Sequence, residues 1–265
     1  MKHLIPFMSS EPLVNVIRLQ GAIVNGTGGS LDDPSLAPVI EKAFRKGKPA
    51  AVALQINCPG GSAVQSSLIA ARIRRLAEEK NIPVYAFVED VAASGGYWLA
   101  CAADEIYADA SSIVGSIGVI SAGFGLQDAI GKIGVERRVH TAGTSKSMLD
   151  PFQKEKPADV KRLKGWLDAI HTNFKEHVKA RRGERLSQND ALFTGEVFIG
   201  ANAEAEGLID GIAHLVPFVK AKYGDKVRFR RYGPKRSIFQ RLGARLMISA
   251  VDAIEERAIF ARFGL

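Results

Sequence analysis

With 265 residues, 46% of them hydrophobic and 24% charged, the chain has the make-up of an ordinary soluble globular protein, long enough for one sizeable α/β core. The net charge of +8 suits acidic partners such as anionic lipid, but no base-stacking aromatic pattern accompanies it, so nucleic acid is not an expected partner. The N-terminal stretch lacks both a signal-peptide pattern and an apolar run near the ~18 residues of a membrane span, which predicts a cytoplasmic protein.

In chain order, 13–19 and 51–56 are apolar runs rich in Val, Ile and Leu, and read as buried strands. Between them "DDPSLAPVIEKAFRKG" has an Asp cap, Pro34 in its first turn, an apolar face of Leu36, Val39, Ile40 and Phe44, and Gly47 as a stop. A second helix is predicted from Ala63 to Lys80, after which Pro83 opens a strand over 84–88. "IYAD", "IGVIS" and 135–140 are expected to be further short strands. A periodic helix follows over 158–182, with Val160, Leu163, Leu167, Ile170, Phe174 and Val178 on one face. Strand–helix–strand alternation predicts a mainly parallel sheet with right-handed crossovers. From Lys226 the chain becomes rich in arginine. Ile238, Leu242, Leu246, Ile254 and Ile259 there have helical spacing, suited to an oligomer contact or to a basic helix on an anionic membrane surface. The two cysteines, Cys58 and Cys101, lie in apolar sequence and read as buried thiols in a reducing compartment; no metal or cofactor is implied.

Two small-residue corners stand out. In "AASGGYW" a lone serine, Ser94, follows an apolar strand and precedes a helix, which is how a chain can expose one hydroxyl to an approaching backbone. In "NCPGGS" a strand ends, Pro59 turns the chain, and Gly60-Gly61 leads into a helix near Ser62. Free backbone N–H groups at a helix start, beside glycines that admit close approach, suit a developing negative charge. In a parallel sheet both corners fall on the same edge. Ser94 could then attack a carbonyl whose oxygen sits between the amide of Gly95 and one from the Gly60-Gly61 turn. Either corner alone would be only a tight turn or a helix cap.

A serine needs a base. Among the five histidines, His3, His140, His171, His177 and His214, only His140 ends an expected strand and is a triad candidate; solvated or structural roles suit all five. The other candidate is Lys146, in the Gly/Thr/Ser-rich stretch "HTAGTSKSMLDPFQ". A lysine ordinarily titrates near ~10.4, and burial can lower that by up to ~3–5 units. Ser116, Ser145 or Ser147 could hold a neutral amine.

The stretches 57–62, 92–119, 143–152 and 193–210, in this order and spacing, are similar to those of peptidase family S49, the signal peptide peptidase A and SohB-like group. The resemblance covers roughly residues 13–215. It implies an α/β fold of ClpP/crotonase type, with repeated ββα units around a mainly parallel sheet and a C-terminal helical tail. Residues 1–225 would form the peptidase domain and 226–265 the tail. It also implies that Ser94 is the nucleophile and Lys146 the general base of a Ser–Lys dyad, that Gly61 and Gly95 supply oxyanion amides, and that Ser116 hydrogen-bonds the lysine amine. Members assemble into rings or bowls, so a homo-oligomer with serine and lysine from different subunits is expected. Family members usually carry a membrane anchor or signal, which is not seen here. Soluble peptides or unfolded segments are therefore expected substrates beside signal-peptide remnants. The alternatives are a crotonase-like enzyme acting on an acyl-CoA, for which Glu89 or Asp90 would have to serve as base, and a non-catalytic ring scaffold.

Overall fold

The computed structural model describes residues 11–24, 31–143, 145–233 and 260–264. The chain begins with β1 (Leu13–Gln20), α1 (Asp33–Arg45), β2 (Ala51–Cys58), α2 (Ala63–Lys80), β3 (Val84–Ala93) and α3 (Gly95–Ala100). It continues through β4 (Glu105–Ala108), β5 (Ile113–Gly115), α4 (Gln127–Lys132) and the long α5 (Pro157–Arg182). The last elements are β6 (Val197–Ile199), α6 (Gly200–Ala205), β7 (Gly211–Ile212), α7 (Leu215–Tyr223) and β8 (Arg228–Tyr232).

Local chemistry explains the early helices. Asp32 caps α1 by accepting from the Ser35 amide at 2.9 Å, and a proline stands in its first turn. Leu36, Ile40, Ala43 and Phe44 then form its buried face, and each large apolar side chain contributes roughly 1.5–3 kcal/mol on burial. Ser62 caps α2, which ends where Asn81 takes the left-handed conformation (φ 50°).

The sheet runs in the order β6-β5-β3-β2-β1-β8, with β4 pairing β3 and β7 off that path. Every pairing is parallel except β5 with β6. This is the mixed α/β, mostly parallel architecture expected of a ClpP-like fold. One face carries the main core with α1, α2 and α3, including Ile17, Leu54, Ile56, Ile69, Ile73 and Tyr97. The other carries Val14, Val16, Ala53, Tyr85 and Phe87 against Phe218 and Val219 of α7.

The centre of the fold is β3, which changes partners along its length. Tyr85–Val88 pair with β4, and Val91–Ala93 pair with β5. Between these, Ile56 faces Val88 and Cys58 faces Ala92, so β3 spends two extra residues in a bulge containing Glu89 and Asp90. The bulge redirects the end of β3 toward β5.

Two expectations meet a different structure. Residues 117–121 and 135–140 form no strand; the strand before them is β5, and the chain from 119 to 156 is mostly an exposed arm. With its many glycines, and with no partner strand beside it among the described residues, it has no ladder to join. In α5 only Phe174 and Val178 of the expected apolar face are buried, while Val160, Leu163, Leu167 and Ile170 are half-covered. Residues 228–232 form β8, which pairs in parallel with β1 and extends the sheet. The helical spacing expected over 238–259 lies outside the described residues.

Candidate active site

Ser94 joins β3 to α3 with φ 52° and ψ −121°. That conformation is unfavourable for any residue with a Cβ and is held by its surroundings. The Ser94 amide donates to the Gly115 carbonyl at 2.8 Å, and the Ser94 carbonyl accepts from the Trp98 amide at 3.0 Å. No side chain caps this end of α3.

The glycine corner packs directly against it. A Cβ on Gly60 would lie 2.8 Å from the Ser94 Cβ and 3.0 Å from the Gly95 nitrogen. One on Gly95 would lie 3.4 Å from the Gly61 nitrogen. One on Gly96 would collide with the Cys58 carbonyl oxygen, and one on Gly61 with that of Ile23. Only glycine permits this approach of two backbones. Gly61 is pinned by a parallel bridge in which Ile23 donates to the Gly60 carbonyl at 2.8 Å and Ser62 donates to the Ile23 carbonyl at 2.7 Å. By the alternation of a parallel ladder, the Gly61 N–H is left out of that bridge. Gly95 is the first residue of α3, whose opening N–H groups have no acceptor within the helix. Ser94, Gly61 and Gly95 are thus brought together.

Ser116 also arrives at this site. Ala93 pairs with Gly115, so Ser94 and Ser116 are the next residues on adjacent strands. Ser116 has φ 51°, and its amide donates to the Glu196 carbonyl at 2.7 Å.

Lys146 is not joined to them within one chain. It lies in a turn at 145–149 on the exposed arm, its amide donating to the Gly143 carbonyl at 3.2 Å and its side chain in solvent. The burial expected for a neutral lysine is absent in the single chain. His140 is exposed on the same arm. Elsewhere His214 pairs with Asp109 at 2.7 Å, His171 reaches the Ile117 carbonyl at 3.0 Å, and His177 reaches the Trp98 carbonyl at 3.2 Å.

Glu89 and Asp90, the acids an acyl-CoA enzyme would need, bond to Gln55 and Asn57 instead. Both line a crevice of about 520 Å³ over the α7 face of the sheet, to which none of Ser94, Gly61, Gly95, Ser116 or Lys146 contributes.

Sequence reasoning missed the supports behind Ser94: Ile23, which pins Gly61; Gly96, which lets α3 rest on Cys58; and α5. Gly96 carried a readable signal, because a second consecutive glycine opening a helix is unfavourable unless a close contact requires it. Ile23 and α5 act from distant parts of the chain and left no local signal.

Residues 76–222 match the family model described as Peptidase family S49. The whole chain is 46% identical to part of a Brucella melitensis protein named Na(+)/H(+) antiporter NhaA, and spans 39% of that protein. Over 76% of its length it is 31% identical to Serine protease SPPA, chloroplastic, of Arabidopsis thaliana, spanning 31% of that protein. The chain therefore spans about a third to two fifths of the length of these relatives. Among solved structures, the 1510-N membrane-bound stomatin-specific protease superposes with a TM-score of 0.52 at 16% identity, covering 85% of this chain and 100% of that one, which is a likeness of fold. With its strand-to-helix serine, its paired glycine corner and a family match over more than half its residues, the chain belongs to peptidase family S49.

Proposed function

We propose that the protein is a serine endopeptidase that hydrolyses peptides through a Ser–Lys dyad and an acyl-enzyme. The observation that carries this reading is the packing of the Gly60-Gly61 corner against a Ser94 held at positive φ. This packing supports a reading in which the Ser94 hydroxyl and the amides of Gly61 and Gly95 face one substrate carbonyl.

Lys146, as the free amine, takes the Ser94 hydroxyl proton while Oγ bonds to the substrate carbonyl carbon. The resulting oxyanion is held by the amides of Gly61 and Gly95. The Lys146 ammonium returns the proton to the leaving nitrogen as the C–N bond breaks, giving an acyl-serine. Water then attacks the ester, gives a proton to Lys146 and releases the acid, and Ser94 recovers its proton. Ser116, beside Ser94 in the strand register, orients the lysine amine.

The partner that completes the site is a second copy of the chain. Lys146 lies on an arm that exposes Ile120 (65%), Phe124 (84%) and Ile133 (75%), close in sequence to the half-covered face of α5. Apolar side chains exposed to this extent are the mark of an interface. A neighbouring subunit covering the arm would take the Lys146 ammonium out of water, the condition under which a lysine serves as base. Substrates are short or unfolded peptides, signal-peptide remnants among them, bound in extended form. The site works without metal or cofactor. Among the described residues no helix is long and apolar enough to cross a membrane. The chain spans only 39% of the Brucella relative, so its antiporter name is not carried over. We place the protein in the cytoplasm, with peripheral membrane contact through the basic tail, and treat 1–225 as the peptidase unit to which β8 adds a strand.

Fluorophosphonate labelling tests this reading. Wild type is expected to label at Ser94, and Ser94→Ala and Lys146→Ala are expected not to. A folded, oligomeric wild type that stays unlabelled would refute it.

A further inference from the structure

We infer that His177 is a positioning residue for the nucleophile corner, acting through Trp98 to hold α3 at the angle that presents Ser94. The inference rests on Ser94 being the nucleophile.

Two hydrogen bonds connect the groups in series. The Ser94 carbonyl accepts from the Trp98 amide at 3.0 Å, and the Trp98 carbonyl accepts from His177 Nε2 at 3.2 Å. Since a carbonyl only accepts, Nε2 carries the proton. The Trp98 indole also stacks on the His177 ring (centroids 4.9 Å apart, planes 18°) and on Phe174 (4.8 Å, 21°). Phe174 and His177 stand three apart in α5 and present one surface to Trp98.

The element they hold cannot hold itself. α3 has six residues, begins with two glycines and has no side-chain cap, whereas isolated helices below about 12 residues are marginal even in favourable sequences. Its first residue follows the strained Ser94. Something outside must fix its direction, and α5 does so along its C-terminal half and just beyond. His177 holds the Trp98 carbonyl, while Arg181 donates to the carbonyls of Cys101 at 2.8 Å and Ala103 at 2.9 Å. The same helix reaches the neighbouring strand end, where His171 contacts the carbonyl of Ile117, next to Ser116.

The surroundings keep His177 a neutral donor. Burial, and then the Arg181 charge, push the imidazole down to about 4, against the pull of the Trp98 carbonyl. Among the described residues the charged group that acts on it is Arg181, on its own helix.

Two substitutions separate donor from stack. His177→Phe keeps the ring and removes the donor, and His177→Gln restores an amide donor near the Nε2 position. In the full-length protein, His177→Phe is expected to slow fluorophosphonate labelling about tenfold with the KM for a peptide little changed, and His177→Gln to recover most of that loss. Hydrogen exchange of the amides of residues 96–101 should quicken about tenfold in His177→Phe. In a Trp166→Phe background, Trp98 emission should be quenched on acidification with a midpoint near 4, and this transition should vanish in His177→Phe. Labelling at the wild-type rate, or unchanged exchange in α3, would overturn the inference. If exchange responds but wild type never labels, the nucleophile reading has failed and His177 is only a structural clamp.

Discussion

The backbone at Ser94 makes a prediction that separates strain from chemistry. A residue with a Cβ at φ 52° and ψ −121° stores about 1–3 kcal/mol. Ser94→Ala removes the hydroxyl but keeps the Cβ, so it abolishes labelling while leaving that strain in place. Ser94→Gly removes both. Glycine loses about 0.5–1 kcal/mol through the greater entropy of its unfolded chain, leaving a net gain of about 1 kcal/mol. No cap is lost, because the Ser94 side chain caps nothing. Both variants should be inert to a fluorophosphonate, yet Ser94→Gly should be the more stable by about 1 kcal/mol, or about 2–4 °C in melting temperature for a domain of this size. Thermal and urea unfolding at one protein concentration would measure this, so that assembly contributes equally to both variants. If Ser94→Gly proves no more stable than Ser94→Ala, the nucleophile is not held under strain, and the argument from its backbone fails.

Other consequences can be checked alongside. Lys146→Ala should lower labelling by about 10²–10⁴-fold while changing stability by less than about 0.5 kcal/mol, because the side chain is exposed within one chain. Mixing Ser94→Ala with Lys146→Ala subunits should restore up to about a quarter of wild-type activity if the dyad spans a head-to-tail interface, and none if it does not. Gly96→Ala should destabilise by about 3 kcal/mol or more, since its methyl group would meet the Cys58 carbonyl, whereas Gly165→Ala, with nothing within 4 Å, should stabilise α5 by about 0.5–1 kcal/mol. Acidification should act through His177, which takes a proton near 6.5 when unfolded but only at about 4 when folded. Stability should therefore be complete above pH 6.5 and fall by about 3 kcal/mol as the pH drops to 4, and His177→Phe should flatten this part of the profile. Asp210 is burdened by burial but held below its ordinary 3.8 by Arg182, the Ile106 amide and Arg185, so it adds a further loss at still lower pH. Denaturant midpoints at a series of pH values would show both effects.

Elements whose signals are local could be read before any coordinates. The Asp32 and Ser62 caps, the spacing of Leu36, Ile40 and Phe44, and the apolar runs of β1, β2 and β3 each lie within a dozen residues. α2 accordingly spans Ala63–Lys80, as its pattern predicts. Both small-residue corners were visible for the same reason, since a run of small residues at a tight turn is written in a few consecutive positions. What depends on partners distant in the chain could not be read. The bulge at Glu89–Asp90 exists because β3 must leave β4 and join β5, and 135–140, expected as a strand, enters no ladder among the described residues. β8 looks like the start of a basic tail but pairs with β1, more than two hundred residues earlier. The support of Trp98 by His177 spans 79 residues, and a histidine in a charged helix announces nothing of the kind. Lys146 stands out in its Gly/Thr/Ser-rich stretch, but the single chain leaves it in solvent. Which residues have the chemistry to act can be read locally, because side-chain identity and tight turns are written in consecutive positions. Which of them meet is settled by the folded chain, because strand pairing and burial join residues far apart in sequence.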